Sequence, residues 1–310
     1  MSQIILHNYP QSPVAEKVRI AFGLKGLAWA SVEIPRLPPK PLLTKLTGGY
    51  RRTPVMQIGA DIYCDSQCIL DELEIRYPET SFFPTPDEAM LRGLARWVDG
   101  ELFDLTVKIV LGSAGETLPK DFAEDRGRLY LGPDWAEGLK HAHENTPHLA
   151  AQMRGPMSWL NRQLADGRAF VTGAQPAAID AHFYHLVWFL RGRWSLGPAF
   201  LAEFPQLEVW EARVAQIGHG QVSELSGNGA IEQASVAEPF AGIEGDTYDP
   251  QGLQIGAKVV VSPDVDGGEQ PVQGTLLGAT AARVVIRRVE PDLGNINVHF
   301  PRIGYRIDAL

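Results

Sequence analysis

The stretch HNYPQSPVAEKVRIAFGLKGL, residues 7–27, decides how the first part of the chain reads. It follows a short apolar run at residues 4–6 and places Ser12 and Pro13 where a helical period begins. Val14, Val18, Ala21 and Phe22 recur at helical spacing, and Gly23 closes the run. A strand passing through a short loop into a helix opens an alternating α/β unit. Serine before proline is also an ordinary helix start. The serine oxygen caps a free N–H, worth about 1 kcal/mol, and proline has no N–H to leave unsatisfied. The chemical reading goes further: a first helical turn carries unpaired N–H groups and partial positive charge, so a hydroxyl there can steady a thiolate supplied by a cofactor.

Working outward, residues 29–34 alternate as a second strand, and Pro35, Pro38, Pro39 and Pro41 mark an irregular or short helical segment. Residues 54–63 read as a hairpin turning at Gly59 and Ala60, and residues 66–76 as a helix. The order βαβ, irregular segment, ββα describes a small mixed sheet with helices on its faces. Residues 77–88, with Pro78, Pro84 and Pro86, read as a linker. Beyond it, residues 90–111, 135–143, 147–164, 178–191 and 207–217 carry apolar residues three and four apart, the pattern of an all-α domain. Residues 226–250 hold five acids (Glu232, Glu238, Glu244, Asp246 and Asp249) and no Lys or Arg, which reads as an extended linker. The last sixty residues switch to strand signals, AKVVVSPD, GTLLG, ARVVIRRVE, NINVHFPR and GYRI, expected to form a small barrel-like or half-open sheet. The expected division is therefore 1–78, 87–225, a linker at 226–251, and 252–310.

With 310 residues the chain is long enough for more than one core. A net charge of −9 and a pI near 5.4 provide no positive field to recruit nucleic acid or an acidic membrane surface. The basic residues of the last sixty positions are matched by acids, Asp264, Asp266 and Glu269 among them. The first residues lack the pattern of a secretory signal, and the longest apolar run, residues 179–190, is too short and too His-rich to span a bilayer. A soluble, cytoplasmic protein is expected. Two cysteines, Cys64 and Cys68, exclude a disulfide framework and do not have metal-site spacing. His182 and His185 with Asp180 sit at helical spacing, but imidazoles three apart on an apolar helix usually pack, and no metal is expected. Trp97, Phe103, Phe183, Trp188, Phe189 and Trp194 read mainly as core, some of them as possible lining for an apolar pocket.

Two further motifs raise Ser12 above an ordinary cap. In RRTPVMQ, Thr53-Pro54 enters a strand after an irregular segment, a candidate cis bond that leaves the Thr53 backbone able to pair with a peptide-like ligand. In CDSQCILDEL, Asp65 and Ser66 stand at another helix start, which can bind a carboxylate through N–H groups and the Ser66 hydroxyl while Asp65 accepts from an ammonium. Together these fit the zwitterionic end of an amino acid.

The order of Tyr9, Ser12-Pro13, the AEKVR helix, Thr53-Pro54-Val55 and Asp65-Ser66, followed by an all-helical region, resembles the cytosolic glutathione S-transferases over roughly residues 4–220. The resemblance implies a thioredoxin-like N-terminal domain, an all-helical C-terminal domain and a homodimer. It implies glutathione as co-substrate, no metal, and a small hydrophobic electrophile as the second substrate. On this reading Ser12 activates the thiol, as in serine-type members, with Tyr9 as an alternative hydroxyl donor. Thr53 and Pro54 hold the cysteinyl backbone, Asp65 and Ser66 the γ-glutamyl end. Lys40 matches the basic residue near the glycyl carboxylate, with Arg51 and Arg52 as competitors. Two positions depart from the family pattern: Asp65 replaces the usual Glu and is one methylene shorter, and Ala177 in VTGAQPAAIDAHF stands where Ser or Thr caps, leaving Asp180 without its reciprocal partner. The segment NVHFPRIGYRI resembles a small β domain appended to some relatives, expected to pack on the helical domain in a structural or interaction role. The rival function is a non-catalytic ligand-binding or protein-interaction module on the same architecture.

Overall fold

A computed structural model describes residues 2–310 apart from 244, 247 and 266, and the side chain of residue 116 is outside the description. Two acids counted above, Glu244 and Asp266, therefore lie outside the described residues. The chain divides into two compact units, one of Met1–Val18, Ala28–Arg76 and Gln221–Leu310, the other of Arg19–Leu27 and Tyr77–Gly220.

The first unit begins with β1 (Ile4–Asn8), α1 (Pro13–Leu24, whose second half is counted with the other unit), β2 (Ala28–Glu33), α2 (Pro41–Thr47), β3 (Val55–Ile58), β4 (Asp61–Cys64) and α3 (Ser66–Arg76). Ser12 caps α1 as the sequence suggests, its Oγ accepting the Ala15 N–H at 3.1 Å. α1 stops at Gly26, whose φ of 62° is the left-handed turn that glycine adopts without steric cost. β1 pairs with β2 in parallel and with β3 antiparallel, and β3 with β4 antiparallel.

The second unit is helical: α4 (Glu88–Trp97), α5 (Phe103–Ala114), α6 (Lys120–Leu131), α7 (Trp135–Glu144), α8 (Thr146–Leu164), α9 (Ala178–Arg193), α10 (Gly197–Leu201) and α11 (Pro205–Ile217). The single long helix expected at 90–111 contains a wider π turn at Val98–Leu102, between α4 and α5. Its core gathers Met153, Met157, Leu186, Val187, Leu207 and Trp210. Asp180 is buried at the start of α9, and its carboxylate accepts from the N–H groups of Ala177 and Val171, both at 2.9 Å, and from Trp210 Nε1 at 2.7 Å. Ala177 has no side-chain oxygen to return, although its backbone O accepts the Asp180 N–H at 3.0 Å, and three donors hold the carboxylate. No helix among the described residues is long and apolar enough to cross a membrane.

The chain then returns to the first unit with β5 (Gln221–Glu224), α12 (Gly227–Ser235), β6 (Lys258–Pro263), β7 (Val272–Ala279), β8 (Arg283–Glu290), β9 (Gly294–Pro301) and β10 (Tyr305–Ala309). Here the sequence expectation needs correction. The last five strands do not close into a barrel: they continue the first sheet, through a parallel pairing of β9 with β4, into one open sheet ordered β10-β6-β7-β8-β9-β4-β3-β1-β2-β5. They belong to the thioredoxin-like unit and not to the helical one. The physical reason is that β4 would otherwise end the first sheet with a row of unpaired N–H and C=O groups, and β9 satisfies it. One apolar core follows from the shared sheet, with Ile5, Val55 and Ile62 packed in the same cluster as Val284, Val298 and Phe300. The segment expected as linker also contains α12, whose buried Ala230 and Ala234 join that core, and residues 221–224, expected within the helical region, form β5 beside β2.

Candidate functional site

Strand register brings the three motifs to one end of one sheet. His7 of β1 lies opposite Val55 of β3, and Val55 lies opposite Cys64 of β4. The loop carrying Tyr9 and Ser12 leaves β1 there, Thr53-Pro54 enters β3 there, and Asp65-Ser66 leaves β4 there. Chain segments at the ends of the strands of an open α/β sheet are the usual position for a ligand site.

Ser12 is buried, at 2% exposure, and its N–H donates to Tyr9 O at 3.1 Å. Because Oγ accepts from Ala15, the hydroxyl keeps its own proton for donation elsewhere. The Thr53-Pro54 peptide bond is cis, as the sequence suggests. Lys40, also buried, reaches this turn, with Nζ donating to Arg51 O at 3.0 Å and Thr53 Oγ1 at 3.2 Å. Its ammonium also lies 5.8 Å from the centre of the Tyr9 ring. Ser66 opens α3 and is buried. Asp65 before it has φ 75°, the only described non-glycine residue in the left-handed region, and its Oδ1 accepts the Gln67 N–H at 2.9 Å.

Arg51 and Arg52 turn toward the loop between β6 and β7. Arg51 Nη2 donates to Gly267 O at 2.6 Å, and Arg52 pairs through Nε and Nη2 with the buried Glu269 carboxylate while also donating to Val265 O at 2.9 Å. Burial works against the Arg52 charge, but Glu269 outweighs it and the guanidinium is held more firmly protonated than usual. The remaining oxygen of Asp65, Oδ2, accepts from the Tyr305 hydroxyl at 3.0 Å. Tyr305 and Tyr50 are both buried, and burial followed by the Asp65 charge pushes both phenols well above their ordinary pKa. Sequence reasoning gave no role to Tyr50, Glu269 or Tyr305; the last lies in the quoted GYRI, but nothing in a linear reading shows that it meets Asp65.

Other candidates fall elsewhere. Cys64 and Cys68 are free and buried, and burial pushes both thiols up, so neither is a thiolate near neutrality. In the helical unit His182 Nδ1 pairs with Asp99 Oδ1 at 2.9 Å, and the His185 ring lies 5.6 Å from that of Phe103. No group of three or more His, Cys, Asp or Glu among the described residues is arranged to hold a metal ion.

Residues 6–81 match the family described as glutathione S-transferase, N-terminal domain. A GST-like protein from Pseudomonas syringae is 37% identical, with a TM-score of 0.81 and coverage of 100% of both chains. A glutathione S-transferase from Rhodospirillum rubrum F11 is 20% identical, with a TM-score of 0.51 over 68% of this chain and 87% of its own. The β-etherase LigF from Sphingobium sp. strain SYK-6 is 15% identical, with a TM-score of 0.53 over 69% of this chain and 98% of its own. The last two share the fold alone. No curated protein matches the chain. With the N-terminal family match lying over the strands and turns that build the site, and likeness to the Pseudomonas protein running from end to end, the chain belongs to the glutathione S-transferase-like family.

Proposed function

We propose that the protein is a glutathione transferase of the serine type, which holds the glutathione thiol as a thiolate for attack on a small hydrophobic electrophile. The observation that carries this reading is the His7, Val55, Cys64 register, which gathers Ser12, Thr53-Pro54 and Asp65-Ser66 at one sheet end. A free cysteine thiol, with a pKa of about 8.5, is only a few per cent ionised at neutral pH, and the thiolate is the nucleophile. A hydrogen bond from Ser12 to the sulfur, reinforced by the first turn of α1, lowers that pKa by roughly two units, about 2.7 kcal/mol. Ser12 acts as a donor and not as a base, since its own proton is too tightly held. Serine also cannot form the mixed disulfide that a cysteine at this position would allow, which favours conjugation over thiol transfer. Tyr9, from the same loop, is the alternative donor.

The Thr53 backbone at the cis turn pairs with the cysteinyl part of the tripeptide as an added strand would. Ser66 and the first N–H groups of α3 take the γ-glutamyl carboxylate, and Asp65 takes the ammonium. Lys40 is the better partner for the glycyl carboxylate, because the Arg52 fork is already committed to Glu269. The same reading takes the protein as a cytoplasmic homodimer that uses neither a metal nor nucleic acid.

The experiment is calorimetric binding of glutathione followed by a chromogenic conjugation assay. Wild type binds and turns over. Ser66→Ala loses affinity. Ser12→Ala keeps its affinity within about threefold and loses roughly twenty-fivefold in turnover at neutral pH, the change in ionised fraction when the thiol pKa returns from about 6.5 to about 8.5. Binding without turnover across a broad electrophile panel overturns the enzymatic reading and leaves a binding module.

A further inference from the structure

The Asp65 carboxylate, one methylene shorter than the Glu that the family resemblance implies, is reached by the C-terminal strands. Tyr305 is the first residue of β10, opposite Pro263 of β6, so its place is fixed by the sheet. Its ring packs among Tyr50 and Phe300, with centroids 6.4 and 5.6 Å away. From there the hydroxyl donates to Asp65 Oδ2 at 3.0 Å, and it lies 3.4 Å from the Tyr50 hydroxyl. The other oxygen of Asp65 is fixed by the Gln67 N–H. A carboxylate has about four lone-pair directions, so two remain for a ligand while the plane of the group is set from both sides. Asp65 also holds a left-handed backbone conformation, which L-residues adopt at a cost unless their surroundings impose it.

Building on the glutathione reading above, we propose that Tyr305 is a positioning residue of the tripeptide site, its hydroxyl fixing the shortened Asp65 carboxylate in the orientation that receives the γ-glutamyl ammonium. The C-terminal strands then belong to the site as well as to the sheet. An Asp in place of Glu has one fewer rotatable bond and less reach, so its orientation determines whether the ammonium is met. A hydroxyl from β10, an edge strand of the same sheet, sets that orientation before ligand arrives. Burial and the Asp65 charge keep the phenol protonated, so it remains a donor across the working pH range.

The test compares glutathione with its des-amino analogue, in which a glutaryl group replaces the γ-glutamyl group and the ammonium is absent. Tyr305→Phe keeps the ring and removes the hydroxyl. The expected result is a loss of about tenfold in calorimetric affinity for glutathione, the effect of one hydrogen bond to a charged group, with the analogue unchanged. In turnover, KM for glutathione rises while kcat at saturation holds. Asp65→Asn, which leaves the aromatic packing in place, also removes the preference for glutathione over the analogue, and in that background Tyr305→Phe has no further effect. Equal losses for both ligands mean a merely structural role and overturn the proposal, as does an unchanged or tighter affinity for glutathione in Tyr305→Phe. A wild-type protein that binds glutathione but shows no preference over the analogue overturns the Asp65 and Tyr305 assignment alone. Wild type that does not bind glutathione at all overturns the functional reading, and this inference falls with it.

Discussion

The four strands that residues 4–64 supply are extended at both edges, through β9 beside β4 and through β5 beside β2, both in parallel, and the two junctions are held in different ways. At β4 the junction is buried and polar. Asp61 Oδ1 pairs with His299 Nε2 at 2.8 Å and accepts from Asn297 Nδ2 at 3.1 Å, and Oδ2 accepts the Phe240 N–H at 2.8 Å. The His299 ring stacks on Tyr63 at 4.3 Å, and the Tyr63 hydroxyl donates to Glu72, which also receives Arg76 and Arg283. At β2 the added strand is exposed at all four positions, and a side-chain link there is Ser223 Oγ donating to Trp29 O at 3.2 Å. Backbone pairing is enough to lay a strand along an edge. A buried polar set does more, because a one-residue slip would strand every one of its donors, and so it fixes register.

The largest effect follows from removing the acceptor at the centre of the buried junction. Asp61→Ala takes the acceptor from the His299 ring and the Phe240 N–H and one of two acceptors from the Asn297 amide, which keeps Phe240 O at 2.9 Å, and hydrogen bonds lost to a buried charged acceptor, at about 1.5–3 kcal/mol each, sum to about 3–5 kcal/mol. Burial pushes the Asp61 carboxyl up, but His299, Phe240 and Asn297 together outweigh it and hold the group below its ordinary range, so it is ionised in the folded protein near neutrality. Urea denaturation reads the loss, and hydrogen exchange should place it in β9 and β4. A loss below about 1 kcal/mol would mean that apolar packing alone holds the junction, and the contrast with β5 would collapse.

A second test uses pH and the link to α12, the helix that follows β5. His7 is buried and pairs with Gln57 Oε1 at 2.9 Å, while Gln57 Nε2 donates to Ala230 O of α12 at 2.8 Å. Burial lowers the His7 pKa, with Gln57 offsetting part of this, from 6.5 to about 4. The unfolded chain therefore binds a proton below about 6.5 that the folded chain refuses until about 4. Stability falls as pH drops through that window, by at most about 3 kcal/mol, and the decline stops below it. His299 is lowered as well, chiefly by burial, and adds in the same direction. Denaturation curves at pH 7 and pH 4.5 should differ less in His7→Gln than in wild type. An unchanged difference would remove His7 as the source and sharpen the case for His299 at the other junction.

The parts of this arrangement that could be read in the sequence are those where residue type and spacing carry the signal. Ser12-Pro13, the turn at Gly59 and the five late strands were all legible, because caps, glycine turns and runs such as KVVVSP follow from local chemistry. The junction was not. Asp61, Asn297 and His299 are ordinary polar residues in strand segments, and their meaning depends on a pairing that spans more than 230 positions. α6 was missed because its buried side carries Ala123, Gly127 and Arg126 beside Leu129, too few large apolar residues to give a period. α12 was missed because it begins Gly-Asn-Gly, the composition of a linker, and buries fully only two alanines at spacing four, with Ile231 half-buried beside them. The candidate site divides in the same way. Ser12, Thr53-Pro54 and Asp65-Ser66 are local motifs, whereas Glu269 on Arg52 and Tyr305 on Asp65 are products of the joined sheet.

The smallest expected effect lies in β5. Val222 is its one large apolar residue and is 51% exposed, so it buries little surface against β2. Val222→Ala removes two methyl groups from that half-solvated surface and lowers β propensity, and the cost should stay within about 0.5 kcal/mol. The neighbouring backbone bonds, among them Leu225 N–H to Ser31 O at 3.0 Å, do not depend on the side chain and should keep the strand in place. Exchange rates of the β2 and β5 amides measure this directly. A cost above about 1.5 kcal/mol would place β5 among packed strands and not exposed ones. The two additions to the sheet would then be held by comparable amounts of buried surface, and the polar set around Asp61 would matter for register more than for strength.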